Sequence, residues 1–370
     1  MVKAFKSSRF WQDFDWALFG AAILLSAISL TEIYSATMNA QGGGEAYLMR
    51  QLVAVVFGIV CFFILAAVDY HTIAEHIPWI YLGSIGLLFY TLVFGRDHAG
   101  TKGWIQFPGG FGFQPAEIIK VVVVIAVARV LSELHSERYM TLSQIIKGSL
   151  IFGVPVLLVM AQGDLGTALT FFPALAFGLF IRGIRPIVFV SLTVCALLVL
   201  PASWFFLKDY QKDRIVTFLH PEMDPLGKGY QIIQSKIAIG SGGFWGKGLF
   251  QGSQNRLGFL QTRHTDFIFS VVGEELGFLG VMVTLGMLGF ILFRSIHNAQ
   301  TARDNLGMFI IMGIVGILFF HIVENVGMVI GFMPVTGVPL PFVSYGGSSV
   351  LSAFMALGLV VSVRRCRYVN

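Results

Sequence analysis

Long apolar runs recur along the whole chain and constrain its fold more than any other feature. Each run holds roughly 18 to 24 residues, and a helix needs about 20 to cross the ~30 Å hydrocarbon core of a bilayer. Hydrophobic residues make up 56% of the 370 residues and charged residues only 12%. That charged fraction is about half the value typical of soluble proteins. The sequence therefore excludes a soluble fold and predicts an all-α polytopic membrane protein.

Breaks rich in charge, glycine or proline divide these runs into about ten predicted transmembrane helices. The first run is too long for a signal-peptide core and leads into further runs, so we expect it to remain as an anchor. One domain, residues 1–370, holds all of the predicted spans, which are 16–37, 47–68, 78–94, 117–133, 143–160, 165–182, 186–206, 266–293, 306–332 and 346–363.

The distribution of basic residues predicts the orientation of the chain. Connections between spans that are rich in Lys and Arg lie on the cytoplasmic side of a membrane. With the N-terminus inside, that side collects Lys3, Lys6, Arg9, Arg138, Lys147, Arg182, Arg185, Arg294, Arg303, Arg364, Arg365 and Arg367. Both termini are then cytoplasmic, the chain crosses the cytoplasmic (inner) membrane, and one long loop, residues 207–265, is extracytoplasmic.

This long outer loop is basic, which the rule for cytoplasmic loops does not predict. Two explanations stay open. Either the basic residues have no special cause, because long loops are translocated regardless of their charge, or the loop binds an anionic ligand. Ile232, Ile233 and Ile237 alternate with polar residues, a pattern that predicts a short amphipathic helix in the lipid headgroup layer. The basic residues of the loop are Lys208, Lys212, Arg214, Lys228, Lys236, Lys247, Arg256 and Arg263.

A glycine-rich stretch, residues 240–248, resembles a phosphate-binding loop but does not match it. Ser241 occupies the position of the required first glycine, and Gly248 follows Lys247 where Ser or Thr is needed. The glycines predict instead a flexible backbone that lies close over the membrane surface. We expect no organic cofactor and no nucleic-acid partner.

Charged residues at the outer ends of three predicted spans are the candidate functional residues. Glu117 and Lys120 open span four, Asp164 opens span six, and His264 with Asp266 opens span eight. Any one of these acids, taken alone, is better interpreted as a helix cap. Three helix N-termini beside Lys120 and a basic loop would nevertheless attract phosphate or pyrophosphate. Acids there would hold a divalent cation or move protons.

Polar residues within the apolar runs give weaker signals. Glu32, Glu274, Glu275, Glu324 and Asn325 are of this kind. Such residues line a cavity, pair between helices or lie in the interface. We assign them no chemistry.

Several motifs along almost the whole chain carry a resemblance to a known family. They are Phe113–Ile118 with Lys120, Asp164–Thr167, Gly229–Gly243, His264–Phe269, Glu274–Gly277 and Gly337–Ser348. The chain resembles the SEDS proteins (shape, elongation, division and sporulation). Lys236, within the third motif, makes it most similar to the RodA group of that family.

The resemblance implies a peptidoglycan glycosyltransferase. Such a protein polymerises lipid II into β-1,4 glycan strands on the outer face of the cytoplasmic membrane during elongation. It works with a class B penicillin-binding protein, a transpeptidase, in the elongation and shape complex. Converting an α-linked pyrophosphate into a β-1,4 linkage inverts the anomeric carbon, which requires one base and a clamp for the departing undecaprenyl pyrophosphate. The essential aspartate of the family falls at Asp266, the predicted base.

The same resemblance suggests which residues bind the substrate. Glu117 and Asp164 would position Lys120, or share Mg2+ or Mn2+ with Asp266. The residues expected to bind the pyrophosphate or the rest of the substrate are Lys120, Glu117, Asp164, Arg214, Lys236, Lys247, Arg263 and His264.

Three positions depart from the pattern of the family. Gln261-Thr262 stand where Pro-Glu is usual, Gly103 precedes Trp104 where arginine is frequent, and His220 precedes Pro221 where aspartate is common. These departures affect contacts other than that of Asp266.

Two other functions are compatible with the residues alone. A lipid II flippase would use polar groups on several spans, but the conspicuous charges cluster near one face and we find no inverted repeat. A scaffold without chemistry could recruit the penicillin-binding protein through glycine- and phenylalanine-rich spans. A scaffold gives no reason for Lys120 and three acids to converge.

Overall fold

The computed structural model describes residues 11–38, 43–98, 100–107, 111–133, 142–183, 190, 194, 209–224 and 227–367. In this part of the chain nearly all regular structure is helical. The helices are α1 Trp16–Thr37, α2 Gly43–Ala67, α3 Tyr70–Phe94, α4 Pro115–Glu133, α5 Leu142–Ala161, α6 Leu165–Leu169, α7 Phe172–Arg182, α8 Asp209–Leu219, α9 Lys228–Gly242, α10 Ser253–Arg256, α11 Ile268–Glu275, α12 Gly277–Gln300, α13 Asn305–Ile330 and α14 Gly347–Cys366, with a 3-10 turn at Pro221–Met223.

The lengths and apolar composition of these helices confirm the all-α polytopic class. Seven candidate spans are long and apolar enough to cross a membrane among the described residues: α1, α2, α3, α6 together with α7, α12, α13 and α14. Helix α5 adds a shorter apolar stretch, Gly148–Ala161. Helix α4 has 19 residues but carries Glu117, Lys120 and Arg129. The predicted span 186–206 lies outside the described residues except for 190 and 194, so the count of ten stays a prediction.

Helix α3 begins eight residues before its predicted start at residue 78. Asp69 caps it by accepting a hydrogen bond from His71 N at 2.9 Å, and Pro78 lies inside the helix. The apolar pattern missed this start because the first two turns are polar. The helix therefore continues beyond the apolar run that marks the span.

The predicted span 266–293 is two helices, which corrects the expectation of one. Helix α11 ends at Glu275 and α12 begins at Gly277, whose φ is +65°. A Cβ atom at Gly277 would lie 2.2 Å from Gly246 N. Only glycine accepts both this left-handed conformation and this contact.

The glycine-rich stretch fills the break between these two helices. Lys247 N and Gly248 N donate to the carbonyls of Glu274 and Glu275 at 3.0 Å each. In return, Phe278 N donates to Gly243 O at 2.9 Å. These bonds replace those that a continuous helix would make. The backbone of this stretch thus packs closely against the protein itself, and its expected approach to the membrane surface stays a prediction.

The amphipathic helix of the outer loop is confirmed as α9. Its inner face buries Ile232, Ser235 and Ala238, and Ser235 Oγ donates to Val329 O at 2.6 Å. Ile233 and Ile237 are exposed on the opposite side. This pattern suits a helix between the bundle and lipid, and its location in the headgroup layer stays a prediction.

A small antiparallel sheet, which the sequence did not predict, follows α3. Its strands are β1 Arg96–His98, β2 Thr101–Phe107 and β3 Phe111–Phe113, in the order β1-β2-β3. Lys102 N donates to Gln162 O at 3.0 Å. A Cβ at Gly103 would lie 2.9 Å from Gln162 Oε1. Glycine at this departure from the family pattern therefore allows close packing of the sheet against the end of α5.

At the end of the bundle opposite the small sheet, one buried acid, Asp15, holds three helices together. Asp15 accepts hydrogen bonds from Arg294 Nε at 2.9 Å, Arg364 Nη1 at 2.9 Å and Asn298 Nδ2 at 2.9 Å. These bonds join the start of α1 to the ends of α12 and α14. Residues that the charge rule assigns to the cytoplasm therefore meet at one end of the bundle. Which end faces the cytoplasm stays a prediction.

Candidate active site

A buried ion pair occupies the first two turns of α4. Pro115 occupies the first helical position, where its missing N–H costs nothing. Lys120 Nζ donates to Glu117 Oε1 at 2.8 Å. The two side chains are only 1% and 5% exposed. A buried charge of this kind is tolerated only with a well-placed partner.

His321 of α13 is the second partner of Lys120. Its Nδ1 lies 2.9 Å from Pro339 O, and its Nε2 lies 2.9 Å from Lys120 Nζ. Because a carbonyl can only accept, Nδ1 carries the hydrogen and Nε2 accepts from the ammonium. The imidazole is therefore neutral. A cavity of about 20 Å³ borders Glu117, Lys120 and His321, enough for a single water molecule.

Asp164 is the N-cap of α6, so the capping interpretation is confirmed for this residue. Its carboxylate accepts from Thr167 N at 2.9 Å and from Gln114 Nε2 at 2.6 Å. Gln114 N in turn donates to Ser348 Oγ at 2.8 Å. Among the described residues no hydrogen bond or ion pair joins Asp164 to Lys120. Asp164 therefore does not hold Lys120 through a direct bond, and its role in positioning Lys120 or in sharing a divalent cation stays a prediction.

Asp266 is partly exposed in the loop before α11. The expectation that it opens the helix is wrong, because α11 starts at Ile268 with Phe267 as its N-cap. Thr262 O accepts from both Asp266 N at 3.1 Å and Phe267 N at 3.3 Å, and this turn delays the helix. Asp266 is held by its backbone, since Asn325 Nδ2 donates to its carbonyl at 3.0 Å.

The segment between α13 and α14, residues 331–346, links the separate parts of the site, and we call it the linking segment. Val338 O accepts from Asn325 Nδ2 at 2.9 Å. Gly337 lies beside Asp266, because a Cβ there would be 3.7 Å from Asp266 Oδ2. Pro339 O accepts from His321 Nδ1 and holds that ring in place.

The linking segment also touches the start of α6. A Cβ at Gly166 would lie 2.6 Å from Thr336 O, so only the absence of a side chain allows this approach. Thr336 Oγ1 donates to Glu324 Oε1. The segment thus contacts the helix that Asp164 caps, the side chain of Asp266 and, on α13, His321, which is the partner of Lys120.

Two basic residues of the outer loop have partners inside the protein. Lys247 Nζ donates to Glu274 Oε1 at 2.7 Å. Arg263 donates to Ala36 O and Asn255 O at 2.5 Å each. Both residues tie the loop to the bundle, and their binding of pyrophosphate stays a prediction.

The other two basic candidates differ in position. Lys236 is exposed on α9 beside Gly331, where a Cβ would lie 2.4 Å from its Nζ. Arg214 belongs to α8, and its side chain lies outside the described part of the structure. Among these candidates, Lys236 is therefore an exposed residue whose ammonium lies next to the linking segment.

His264 belongs to an aromatic cluster next to Asp266. Its ring centroid lies 5.2 Å from that of Tyr47 and 5.4 Å from that of Tyr345. Burial lowers the pKa of His264 to about 4, and the neighbouring Arg263 acts in the same direction. The imidazole is therefore uncharged at neutral pH and binds an anion only as a neutral group.

The three carboxylates proposed to share a metal ion do not form one site. Glu117 pairs with Lys120 and Asp164 caps α6. Within the described ranges, no three His, Cys, Asp or Glu side chains lie close enough together to hold a metal ion. A divalent cation stays a prediction, and no catalytic step below depends on one.

Sequence reasoning missed His321 and assigned no role to Asn325. A signal existed, because His321, Glu324 and Asn325 interrupt an apolar run at spacings of three and four residues. That spacing places them on one face of a helix. The departure Gln261-Thr262 also has a contact: Gln231 bonds to both side chains at 3.2 Å. These two residues thus join α9 to the loop of Asp266.

The chain is similar to known proteins over nearly its whole length. It is 38% identical to the peptidoglycan glycosyltransferase MrdB of Escherichia coli K12 over 338 residues, 90% of each chain. It is 33% identical to the peptidoglycan glycosyltransferase RodA of Treponema pallidum, with 95% of this chain and 97% of that protein covered.

Solved structures agree with these relatives. A chain of a peptidoglycan synthase complex that coordinates polymerization and crosslinking matches with a TM-score of 0.81 at 34% identity, covering 96% of this chain and 99% of the other. RodA of Thermus thermophilus matches with a TM-score of 0.72 at 29% identity, over 96% and 98% of the two chains. The family pattern of the FtsW/RodA/SpoVE cell cycle proteins matches residues 15–368. The chain belongs to the FtsW/RodA/SpoVE family of cell cycle proteins.

Proposed function

We propose that this protein is a peptidoglycan glycosyltransferase of the cytoplasmic membrane that polymerises lipid II into β-1,4 glycan strands. The names of its relatives support the activity. The observation that carries the proposal is a juxtaposition: the linking segment contacts Asp266 and the buried Lys120–His321 pair. A base and a cation are the two groups that an inverting transfer from a pyrophosphate requires.

Asp266 is the proposed general base. Its carboxylate would accept the proton of the acceptor sugar's 4-hydroxyl from within about 3 Å. The 4-oxygen would then form a bond to the anomeric carbon of the donor as the bond from that carbon to pyrophosphate breaks. One in-line displacement inverts the anomeric centre. Undecaprenyl pyrophosphate leaves with the electron pair of the broken bond.

Positive charge near the outer end would stabilise the leaving group. Lys120 is almost fully enclosed, so its charge would act on the pyrophosphate at a distance, through a medium of low dielectric. Exposed Lys236 could contact the phosphates directly. Lys247 and Arg263 would contribute by holding the loop in place. A bound Mg2+ or Mn2+ could neutralise pyrophosphate further.

A class B penicillin-binding protein is the proposed partner, within the elongation complex. One matching structure is described as a complex that coordinates polymerization with crosslinking, which supports this choice. Catalysis would take place on the extracytoplasmic side, where lipid II is used and where the linking segment, the aromatic cluster and Asp266 lie in the proposed orientation.

The test is polymerisation of purified labelled lipid II by the protein co-purified with its transpeptidase partner, followed on a gel. Moenomycin silences unrelated polymerases, and the assay runs with and without Mg2+ or Mn2+. We expect a ladder from the wild type and none from Asp266→Asn. Asp97→Asn is the matched control, because Asp97 is an exposed acid that accepts from Gly100 N. It should polymerise normally.

Two results would contradict the proposal. A ladder from a folded Asp266→Asn complex would remove Asp266 from the mechanism. No ladder from a folded wild-type complex with an active transpeptidase would favour the flippase or scaffold function instead.

A further inference from the structure

His321 joins the two halves of the candidate site. It is 4% exposed, lies in the middle of an apolar helix, and uses both ring nitrogens. One nitrogen accepts from Lys120 and the other donates to the linking segment. We infer that His321 is a positioning residue that sets the Lys120 ammonium relative to the linking segment beside Asp266. This inference rests on the proposed function.

The tautomer of His321 makes the contact with Lys120 specific. The ammonium has three N–H donors, one of which goes to Glu117 and one to His321. Only a neutral ring with its hydrogen on Nδ1 can accept at Nε2, and the carbonyl of Pro339 enforces that tautomer. An imidazolium would place two cations 2.9 Å apart. The linking segment therefore determines whether Lys120 has its second partner.

The same helix holds the linking segment at a second point. Asn325 lies one turn after His321 on α13, on the same face. Its amide donates both to Val338 O and to Asp266 O. Two side chains of α13 thus tie adjacent carbonyls, those of Val338 and Pro339, to the base loop and to Lys120. A displacement of the segment would move the leaving-group cation and the base together.

Three substitutions separate positioning from simple packing. His321→Gln places a carbonyl oxygen near the former Nε2 and keeps an acceptor for Lys120. His321→Asn places an amide near the former Nδ1 and keeps a donor for Pro339 while removing that acceptor. His321→Leu removes both groups and keeps the volume apolar.

The rate of lipid II polymerisation by the complex with its partner is the first measurement. We expect His321→Gln, which keeps the acceptor for Lys120 but loses the donor to Pro339 O, to polymerise at a rate between those of the wild type and His321→Asn. His321→Asn should lower kcat by about 10- to 100-fold, the range that small misplacements cause, with a smaller change in KM. His321→Leu should be at least as impaired. Equal rates for the Asn and Gln variants, or a wild-type rate for His321→Leu, would overturn the inference.

A second measurement does not depend on activity. Thermal unfolding of the purified protein is compared for Lys120→Met in the wild-type, His321→Gln and His321→Asn backgrounds. The decrease in Tm caused by Lys120→Met should be similar when residue 321 is His or Gln and clearly different when it is Asn. The reason is that the effects of substitutions on stability are not additive for two residues that contact each other. An identical loss in all three backgrounds would overturn the inference. If the wild type forms no glycan but this coupling is present, the proposed function fails and the contact between His321 and Lys120 stands.

Discussion

A buried lysine in a membrane protein needs partners, because an isolated charge in an apolar interior costs several kcal/mol. Lys120 is 1% exposed and has two partners, a carboxylate and a neutral imidazole. Glu117 is visible in the sequence because it lies three residues away on the same helix. His321 is 201 residues away, and only the packing of α4 against α13 reveals it. The charge of Lys120 is thus stabilised by one partner that is close in the sequence and by another that is far away in the sequence.

The lowered pKa of His264 predicts a pH dependence of stability. The pKa of an unperturbed histidine is 6.5, and that of His264 in the folded protein is about 4. Between these values the unfolded chain binds more protons, so the free energy of unfolding should fall as pH drops from 6.5 to 4 and be constant outside that range. The loss is at most about 3 kcal/mol.

Thermal unfolding of the detergent-solubilised protein between pH 4 and 8 measures this effect. His264→Phe is the control, since it keeps a ring between Tyr47 and Tyr345 and cannot titrate. The Tm of the wild type should fall relative to the variant as the solution becomes more acidic. A constant difference in Tm across the range would show that His264 does not titrate as expected.

Among the elements, the break between α11 and α12 shapes the end of the bundle that carries the candidate site. A continuous helix from residue 266 would carry Asp266 at its first turn. Instead the chain turns at Gly277 and exchanges backbone hydrogen bonds with residues 243–248 of the glycine-rich stretch. Glu274, adjacent to the break, also holds Lys247. The outer loop and the loop of Asp266 are therefore parts of one structure.

Two glycines of the same stretch should respond differently to alanine. Gly246 has a φ of +82°, and a Cβ there would lie 2.1 Å from Glu275 O. Gly246→Ala should lower the free energy of unfolding by more than the roughly 1–2 kcal/mol that left-handed backbone alone costs. Gly240 lies in α9 with nothing within 4 Å of a Cβ. Gly240→Ala should stabilise slightly, by up to about 1 kcal/mol.

Thermal unfolding and polymerisation of both variants would check this expectation. Gly246→Ala should lower Tm and impair activity through displacement of the outer loop. Equal Tm values for the two variants would mean that the glycine-rich stretch does not pack into the break as described.

At the scale of the whole molecule, the two ends of the bundle have different chemistry. One end is closed by Asp15 with Arg294 and Arg364. The other end carries the small sheet, the outer loop and the linking segment. A protein that uses a lipid-linked sugar needs this asymmetry, because the sugar reacts at one surface while the lipid tail stays in the bilayer.

The proposed orientation can be tested with single cysteines. Met223 is 69% exposed in the outer loop, and Asn305 is exposed at the start of α13. In a chain lacking Cys61, Cys195 and Cys366, Met223→Cys should react with a membrane-impermeant maleimide in intact spheroplasts. Asn305→Cys should react only after permeabilisation. The reverse pattern would overturn the orientation, and the cysteine-free chain serves as the background control.

Much of the site could be predicted because its signals are local. Pro115 and Glu117 define a helix start within three residues, and Asp164 caps α6 through the amide three residues later. The motif around Asp266 marked its position but not its structure. The expected helix start there was wrong because residues 262–267 form a turn, in which Thr262 O accepts from Asp266 N and Phe267 N, and α11 begins only at Ile268.

Patterns among neighbouring residues were enough to predict the membrane class, most of the helices and the candidate base, because apolar periodicity, caps and motifs are local properties. The folded chain was needed to see that His321 joins Lys120, that Asn325 holds the backbone of Asp266 and that the glycine-rich stretch packs into a break between two helices. Each of these depends on contacts between elements far apart along the chain. Such contacts arise from how apolar helices pack side by side, and a pattern within one helix does not specify which neighbour it meets.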